Sequence, residues 1–453
     1  VAIATACRRV GRTARIGART VAVMLAFALG VAAPRPAGAQ PPPPGVDAAL
    51  DAARAVRGAS LEVSVLTFAN GEVLWERFGH NALVVSDTVQ GRSVAYNWGV
   101  FDFDQPNFLM RFLTGDTRYW LAAYPTAAMF DAYVSEDRSA RLQVLAITDV
   151  QKAALAEFVE WQSLEENRYY RYDYYLDNCS TRVRDAIDRV LGGVLARDLS
   201  DVPAAPRTWR EETARVTDGD WPPFAGIHVA LGRNADRALT RWHESFLPGL
   251  LADHLATVEI GDGAGGVRPL VARDTVLFTA ARAPLPDRAP SRIGAAIALG
   301  AVLATLIVLL GQRSGTPGIA RGALRTVAFV WYLVGGLLGT ALLLAGTVTK
   351  HAAYMGTNAT LAQVHPVLLV GALCALFAGR STRLARGLAR VAMISAVLSL
   401  LGLVVGAAFM GQRSWVVLAV TVPVHLALAI ALRQLVPPPT PPAVERRAEA
   451  RAA

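Results

Sequence analysis

Charge is scarce in this chain: Asp, Glu, Lys and Arg together make up 18% of its 453 residues, against about a quarter in an ordinary soluble protein. A wholly soluble fold is therefore disfavoured, and a hydrophobic fraction of 53% points the same way. Lysine is nearly absent. Only Lys152 and Lys350 stand among 45 basic residues, so the net charge of +9 is an arginine excess whose placement has to decide its meaning. Cys7, Cys179 and Cys374 are too few for a disulfide framework and too widely spaced for a metal site. His228, His243 and His254 form no His-Glu-x-x-His pattern and read as surface or core residues. No metal and no other cofactor is expected.

What is present divides the chain. Arg8, Arg9, Arg12, Arg15 and Arg19 precede an apolar run, Val21–Ala33, followed by Ala37-Gly38-Ala39. This is the order of a cleavable secretory signal over residues 1–39, with an apolar run short of the roughly 20 residues a span needs. Cys7 would leave with it. Residues 40–45 read as a stiff Pro-rich spacer.

Residues 46–290 carry mixed charges and seven of the nine Trp. The pattern predicts an α+β domain, with strands at Leu61–Phe68, Ala82–Ser86, Ser93–Trp98 and Arg141–Ile147 and later ones at Thr257–Ile260 and Val267–Phe278. Helices are expected at Asp47–Val56, Thr126–Glu136 and Val150–Glu165.

From 291 to 435 the runs Ile293–Leu310, Val327–Leu344, Leu361–Phe377, Val391–Phe409 and Trp415–Leu432 predict an all-α membrane domain of five transmembrane helices. Arg313, Arg321, Arg325, Arg380, Arg383, Arg386, Arg390, Arg433, Arg446, Arg447 and Arg451 lie on one side of these runs. Only Lys350 and Arg413 lie on the other. The asymmetry puts the C-terminus in the cytoplasm and the 46–290 domain outside, in agreement with the signal. The protein is thus expected to be multi-pass in a bacterial inner membrane, with its first domain in the periplasm and a disordered tail over 436–453. Nucleic acid is excluded as a partner, because the arginine excess falls in the cytoplasmic connections.

Cys374 lies within the third run and is expected to pack there. Cys179 is the lone thiol of an exported domain, where it has no disulfide partner and risks oxidation. Val183, Ile187, Val190 and Leu191 recur after it at helical spacing, with Asp177 or Asn178 as N-cap, so Cys179 falls in the first turn of a helix. A helix N-terminus favours a thiolate and offers N–H groups to an oxyanion. A buried structural cysteine fits the position equally. The candidate base is His80, which opens a strand, with Asn97 or Asp102 to orient its ring.

A strand His followed much later by Asn-Cys at a helix start is similar to the circularly permuted papain-like group, which includes the lecithin:retinol acyltransferase relatives. More specifically, Phe78-Gly79-His80-Asn81-Ala82, the run Tyr96–Phe103 with Pro106-Asn107-Phe108 after it, and Asp177–Asp185 resemble the family with an Lnb-type N-terminal periplasmic domain. Lys350–Tyr354, Asn358 and His365-Pro366 resemble that family's segment between membrane helices.

The resemblance implies a permuted papain-like fold and lipoprotein N-acylation, in which an acyl chain passes from a phospholipid donor to the amino group of a diacylglyceryl lipoprotein acceptor. Cys179 would carry the acyl chain and His80 would act as base. Asn178, Arg182, Lys350, His351 and Asn358 are candidate substrate-binding residues. A periplasmic cysteine hydrolase (peptidase, amidase or lipase) and a non-enzymatic envelope interaction module are the competing functions.

Overall fold

Alternating apolar side chains run along the strands of the first half, and the structure pairs them into an antiparallel sheet. It is a computed structural model that describes residues 46–436 apart from 205, 206, 220 and 264. The expected signal, the spacer and the tail beyond Val436 lie outside the described residues. The strands are β1 (Leu61–Phe68), β2 (His80–Asp87), β3 (Arg92–Val100), β4 (Arg118–Pro125), β5 (Ala140–Leu145), β6 (Tyr169–Arg171), β7 (Glu259–Gly261), β8 (Val267–Pro269) and β9 (Val271–Phe278). Among the described residues, seven of them form one sheet in the order β6-β4-β3-β2-β1-β5-β9, while β7 and β8 pair separately. The run expected as one strand from Val267 to Phe278 is divided after Pro269: β8 turns to β7, and β9 continues on to β5.

The first helices are α1 (Val46–Gly58), α2 (Phe108–Thr114), α3 (Thr126–Ser135), α4 (Asp149–Ser163) and α5 (Cys179–Val190). Val63, Val65, Leu83, Trp98 and Leu121 fill one face of the sheet together with Leu155 and Val159 of α4 and Val183 and Ile187 of α5. Leu66, Phe68, Ala82, Val84 and Ala95 fill the other face with Met129 of α3. Each fully buried aliphatic or aromatic side chain is worth about 1.5–3 kcal/mol, and a one-residue slip would turn all of a strand's side chains to the wrong face, so the register is firmly held.

Five short helices follow: α6 (Val194–Ser200), α7 (Trp209–Val216), α8 (Trp221–Ala230), α9 (Arg241–Glu244) and α10 (Pro248–Leu255). Little of this block is visible as apolar period, because part of its interior is polar: buried Arg210 pairs with Asp236 at 2.8 Å and donates to the Leu231 carbonyl at 2.6 Å.

In the second half, the structure has four helices long and apolar enough to cross a membrane among the described residues, where five were expected. They are α11 (Ile293–Gln312), α12 (Ile319–Val348), α15 (Thr382–Val404, extended by a π-turn to Met410) and α16 (Trp415–Ala431). Between them lie a one-turn helix, α13 (Ala352–Met355), and the short α14 (Leu368–Phe377). The third apolar run is therefore broken: Ala359–Ala362 is a 3-10 turn, and the α-helix begins only at Leu368. Pro366 is the cause, since it donates no backbone hydrogen bond and disfavours helical geometry at His365.

The interrupted segment is tied to neighbouring helices through the side chain of Gln363. Gln363 donates to the Ser399 carbonyl at 3.0 Å and accepts from the hydroxyls of Thr421 and Ser399. Irregular backbone at membrane depth is tolerated where it is buried in protein, as here.

The connection after α12 is clasped to the first half. Lys350 N donates to the Thr114 carbonyl at 2.9 Å, Gly232 N to the Tyr354 carbonyl at 2.7 Å, and the Tyr354 hydroxyl to Asp173 at 2.6 Å. Gly232 is required by proximity, because a Cβ there would lie 2.3 Å from the Gly356 carbonyl oxygen. Gly232→Ala is expected to destabilise the protein by about 1–3 kcal/mol through that overlap, seen as a lower thermal midpoint in detergent. Gly249→Ala, in α10 with no heavy atom within 4 Å of the added carbon, is the control that should not lower it.

Candidate active site

The site starts from a helix cap. Asn178 is extended, and its side-chain oxygen accepts from the N–H groups of Ser180 and Thr181, both at 2.9 Å. The Thr181 hydroxyl accepts in return from Asn178 N at 2.8 Å, completing a capping box. The Asn178 amide donates to the carbonyls of Phe246 at 2.9 Å and Tyr174 at 3.1 Å. All of its hydrogen-bonding capacity thus goes into placing the next residue, Cys179, as the first residue of α5.

Cys179 is 8% exposed and meets the sheet where β2 and β3 stop pairing. Their ladder ends at Leu83↔Tyr96. Beyond that pair, the backbone N–H groups of Asn81, Ser180 and Cys179 itself favour the charged form of the sulfur. Gly99 takes a left-handed φ of 94° beside a register shift between Trp98 and Val100. A Cβ built there would stand 3.6 Å from Cys179 Cβ. Burial pushes the thiol above its usual range, while those three N–H groups and the Arg138 charge pull the other way.

His80 opens β2, next to Asn81. Its Nε2 lies 2.5 Å from Asn97 Oδ1. An amide oxygen only accepts, so Nε2 carries the proton and Nδ1 holds the free lone pair of a base. Tyr133 stacks on the ring at 5.6 Å and itself lies over Phe68 at 4.0 Å, with the Arg138 guanidinium 4.4 Å from the Tyr133 ring. Burial pushes the imidazole down to about 4, opposed by the Asn97 bond and assisted by the Arg138 charge. Thiol and imidazole are therefore both neutral near pH 7.

The other expected site residues have definite places. Asp102 is exposed and accepts from Asp104 N in a turn, so of the two polar candidates Asn97 is the one bonded to His80. Arg182 pairs with Asp177 and lies 4.2 Å from the Tyr170 ring centre. Lys350 pairs with Asp116, and His351 Nε2 lies 2.8 Å from the Phe112 carbonyl. Asn358 caps the 3-10 turn and donates to the Ala230 carbonyl at 2.9 Å. These last three belong to the clasp, and no bond to His80 or Cys179 is seen for them. Tyr133, Arg138 and Gly99 were not anticipated. Gly99 alone carried a signal, since glycine within a strand marks a bulge or a close approach.

The neutral pair has a measurable signature. The rate at which iodoacetamide alkylates Cys179, followed by peptide mass spectrometry, is expected to rise steadily with pH through neutrality into the alkaline range. A flat, fast rate across pH 5–8 would mean a standing thiolate–imidazolium pair instead. Asn97→Asp sets a carboxylate against the ring, favours its protonated form and should move the His80 titration upward from about 4. An unmoved titration, read by NMR or by the alkylation profile, would show that the contact does not control the ring.

Comparison with known proteins adds one match. Residues 49–215 fit the family model described as the Lnb N-terminal periplasmic domain. No curated protein and no solved structure matches the chain. The matched span holds Cys179, His80 and Asn97, and among the described residues it is followed by four helices long and apolar enough to cross a membrane: the chain carries an Lnb-type N-terminal domain ahead of a helical second half.

Proposed function

We propose that this protein is a membrane-bound cysteine acyltransferase that moves an acyl chain from a phospholipid, through a Cys179 thioester, to the amino terminus of a diacylglyceryl lipoprotein. The observations that carry the reading are the Asn97-oriented His80 ring and the capped Cys179, on which the backbone N–H of Asn81, the residue after His80, acts, in a domain of Lnb type.

In the first half-reaction His80 Nδ1 takes the thiol proton as the sulfur attacks the ester carbonyl. The oxyanion is met by the Cys179 N–H at the start of α5, and collapse expels the lysophospholipid alkoxide, which receives the proton back from His80. In the second, the lipoprotein amine attacks the thioester carbonyl, His80 takes the amine proton, and the C–S bond breaks to leave the amide and a re-protonated thiol. Holding the acyl group as a thioester lets donor and acceptor use one site in turn. A base that is neutral at rest can accept a proton at once. The imidazolium formed exists only while negative charge develops next to it, which is where a positioned base contributes about 10²–10⁴-fold.

Lys350 and His351, at the end of α12, are the groups proposed to meet a lipid phosphate. Asn178, Arg182 and Asn358 contribute by holding the thiol's turn and the clasp. In this reading the first domain stands in the periplasm of a multi-pass inner-membrane protein whose C-terminus is cytoplasmic.

Cys179→Ala is expected to abolish transfer with the protein still folded and inserted, and His80→Ala should lower it by at least about 10²-fold. The measurement is mass spectrometry of lipoprotein N-termini from cells whose triacylation depends on this protein. Triacyl species persisting at normal yield with Cys179→Ala would sink the mechanism. Free fatty acid released without amide formation would make the protein a hydrolase.

A further inference from the structure

Helix α2 is almost wholly apolar, with the sequence Phe108-Leu109-Met110-Arg111-Phe112-Leu113-Thr114, and none of its residues is buried. Leu109 is 68% exposed, Met110 62% and Leu113 55%. Leaving such a face in water costs about 25 cal/mol for each Å², and a contiguous apolar patch of this kind marks an interaction surface. Its position identifies the occupant. The Thr114 carbonyl accepts from Lys350 N at 2.9 Å, and the Phe112 carbonyl lies 2.8 Å from His351 Nε2. Lys350 stands two residues past the end of α12, itself long and apolar enough to cross a membrane. Helix α2 is therefore held level with the end of a membrane-length helix, where water gives way to lipid.

Behind α2 an aromatic row leads inward. Phe112 stacks with Phe108 at 6.2 Å, Phe108 with Phe101 at 6.2 Å, Phe101 meets Tyr119 at 5.0 Å, and Tyr119 stacks on Tyr172 at 4.3 Å. Tyr172 then borders Gly99, as does Cys179: a Cβ at Gly99 would lie 3.9 Å from the ring of the first and 3.6 Å from Cβ of the second. The row thus runs from the exposed helix to Gly99, which Cys179 also borders.

We propose that α2 lies in the interfacial layer of the bilayer that α12 crosses, and that the row behind it is the path by which a lipid acyl chain reaches Cys179. The second half rests on the acyl-transfer reading; the first does not. A short amphipathic helix of this kind beds its apolar side chains at the boundary of head groups and acyl chains, which would bring the ester of a neighbouring phospholipid level with the entrance to the row.

The test uses the full chain reconstituted in phosphatidylethanolamine–phosphatidylglycerol vesicles. With the native cysteines replaced by Ala, one environment-sensitive fluorophore is attached at Leu113→Cys, or at Val89→Cys in the exposed turn between β2 and β3. Nitroxide carried near the head group should quench the label at 113 and spare the label at 89. Equal quenching at the two positions overturns the interfacial placement.

In the protein with native cysteines, Phe101→Asp puts a charge into the row. Acyl-thioester formation on Cys179 from long-chain phospholipid, read by intact mass, should fall at least about tenfold, while iodoacetamide alkylation changes less than about twofold. An unchanged thioester yield, or an equal loss of alkylation, overturns the path. If the unsubstituted protein forms no thioester while the label at 113 is quenched, the acyl-transfer reading and the path fail together and the interfacial placement stands.

Discussion

The chemistry of this protein hangs on the side chain of Asn178. Its oxygen satisfies two N–H groups that the first turn of α5 cannot bond internally, and its amide ties the same point to the carbonyls of Tyr174 and Phe246. Two stretches of chain, 174–181 and the segment at Phe246, are thereby located against one another at the residue before Cys179. Caps of this kind are worth about 0.5–2 kcal/mol, small against the folding energy of a domain. Here the cap also sets the direction in which the sulfur points, so its structural and chemical contributions fall on the same four hydrogen bonds.

Burial then decides the resting state of the site. It raises the thiol and lowers the imidazole, so the charged pair often associated with cysteine nucleophiles is disfavoured until a substrate is present. For a thiol in an oxidising compartment this has a second value. Oxidants attack the thiolate, and a sulfur that is 8% exposed and protonated offers them little. The N–H groups of Asn81 and of Cys179 itself can stabilise negative charge once proton transfer begins, the Ser180 N–H being held by the cap. The environment thus protects the thiol at rest and would support it in the proposed reaction.

Much of this arrangement was legible in the sequence wherever the signal was local. Strand β1 was read to the residue, the start of α5 followed from Asp177 or Asn178 as cap and the spacing of Val183 and Ile187, and His80 was placed at a strand start by the apolar run after it. Non-local facts were not legible. Whether Asn97 or Asp102 would bond His80 depended on how β2 and β3 separate, and sequence spacing does not state that. Tyr133 and Arg138 reach the ring from a helix and loop on the opposite face of the sheet, and nothing in their neighbourhoods announces it. In the second half hydropathy overcounted, because the run Leu361–Phe377 is apolar enough to span but contains Pro366. Composition could not override the lost hydrogen bond.

The clasp after α12 has a mechanical meaning. The Tyr354 hydroxyl and the N–H groups of Tyr175 and Leu176 share a single carboxylate oxygen, Asp173 Oδ1. That carboxylate shapes the turn leading to Asn178 and Cys179, so the segment after α12 reaches the turn behind the thiol through one atom. A shift of the 349–358 segment large enough to draw Tyr354 away would unload the turn behind the thiol, and a change in that turn would pull on the end of α12. The turn before the thiol and the end of α12 thus share the load of one carboxylate.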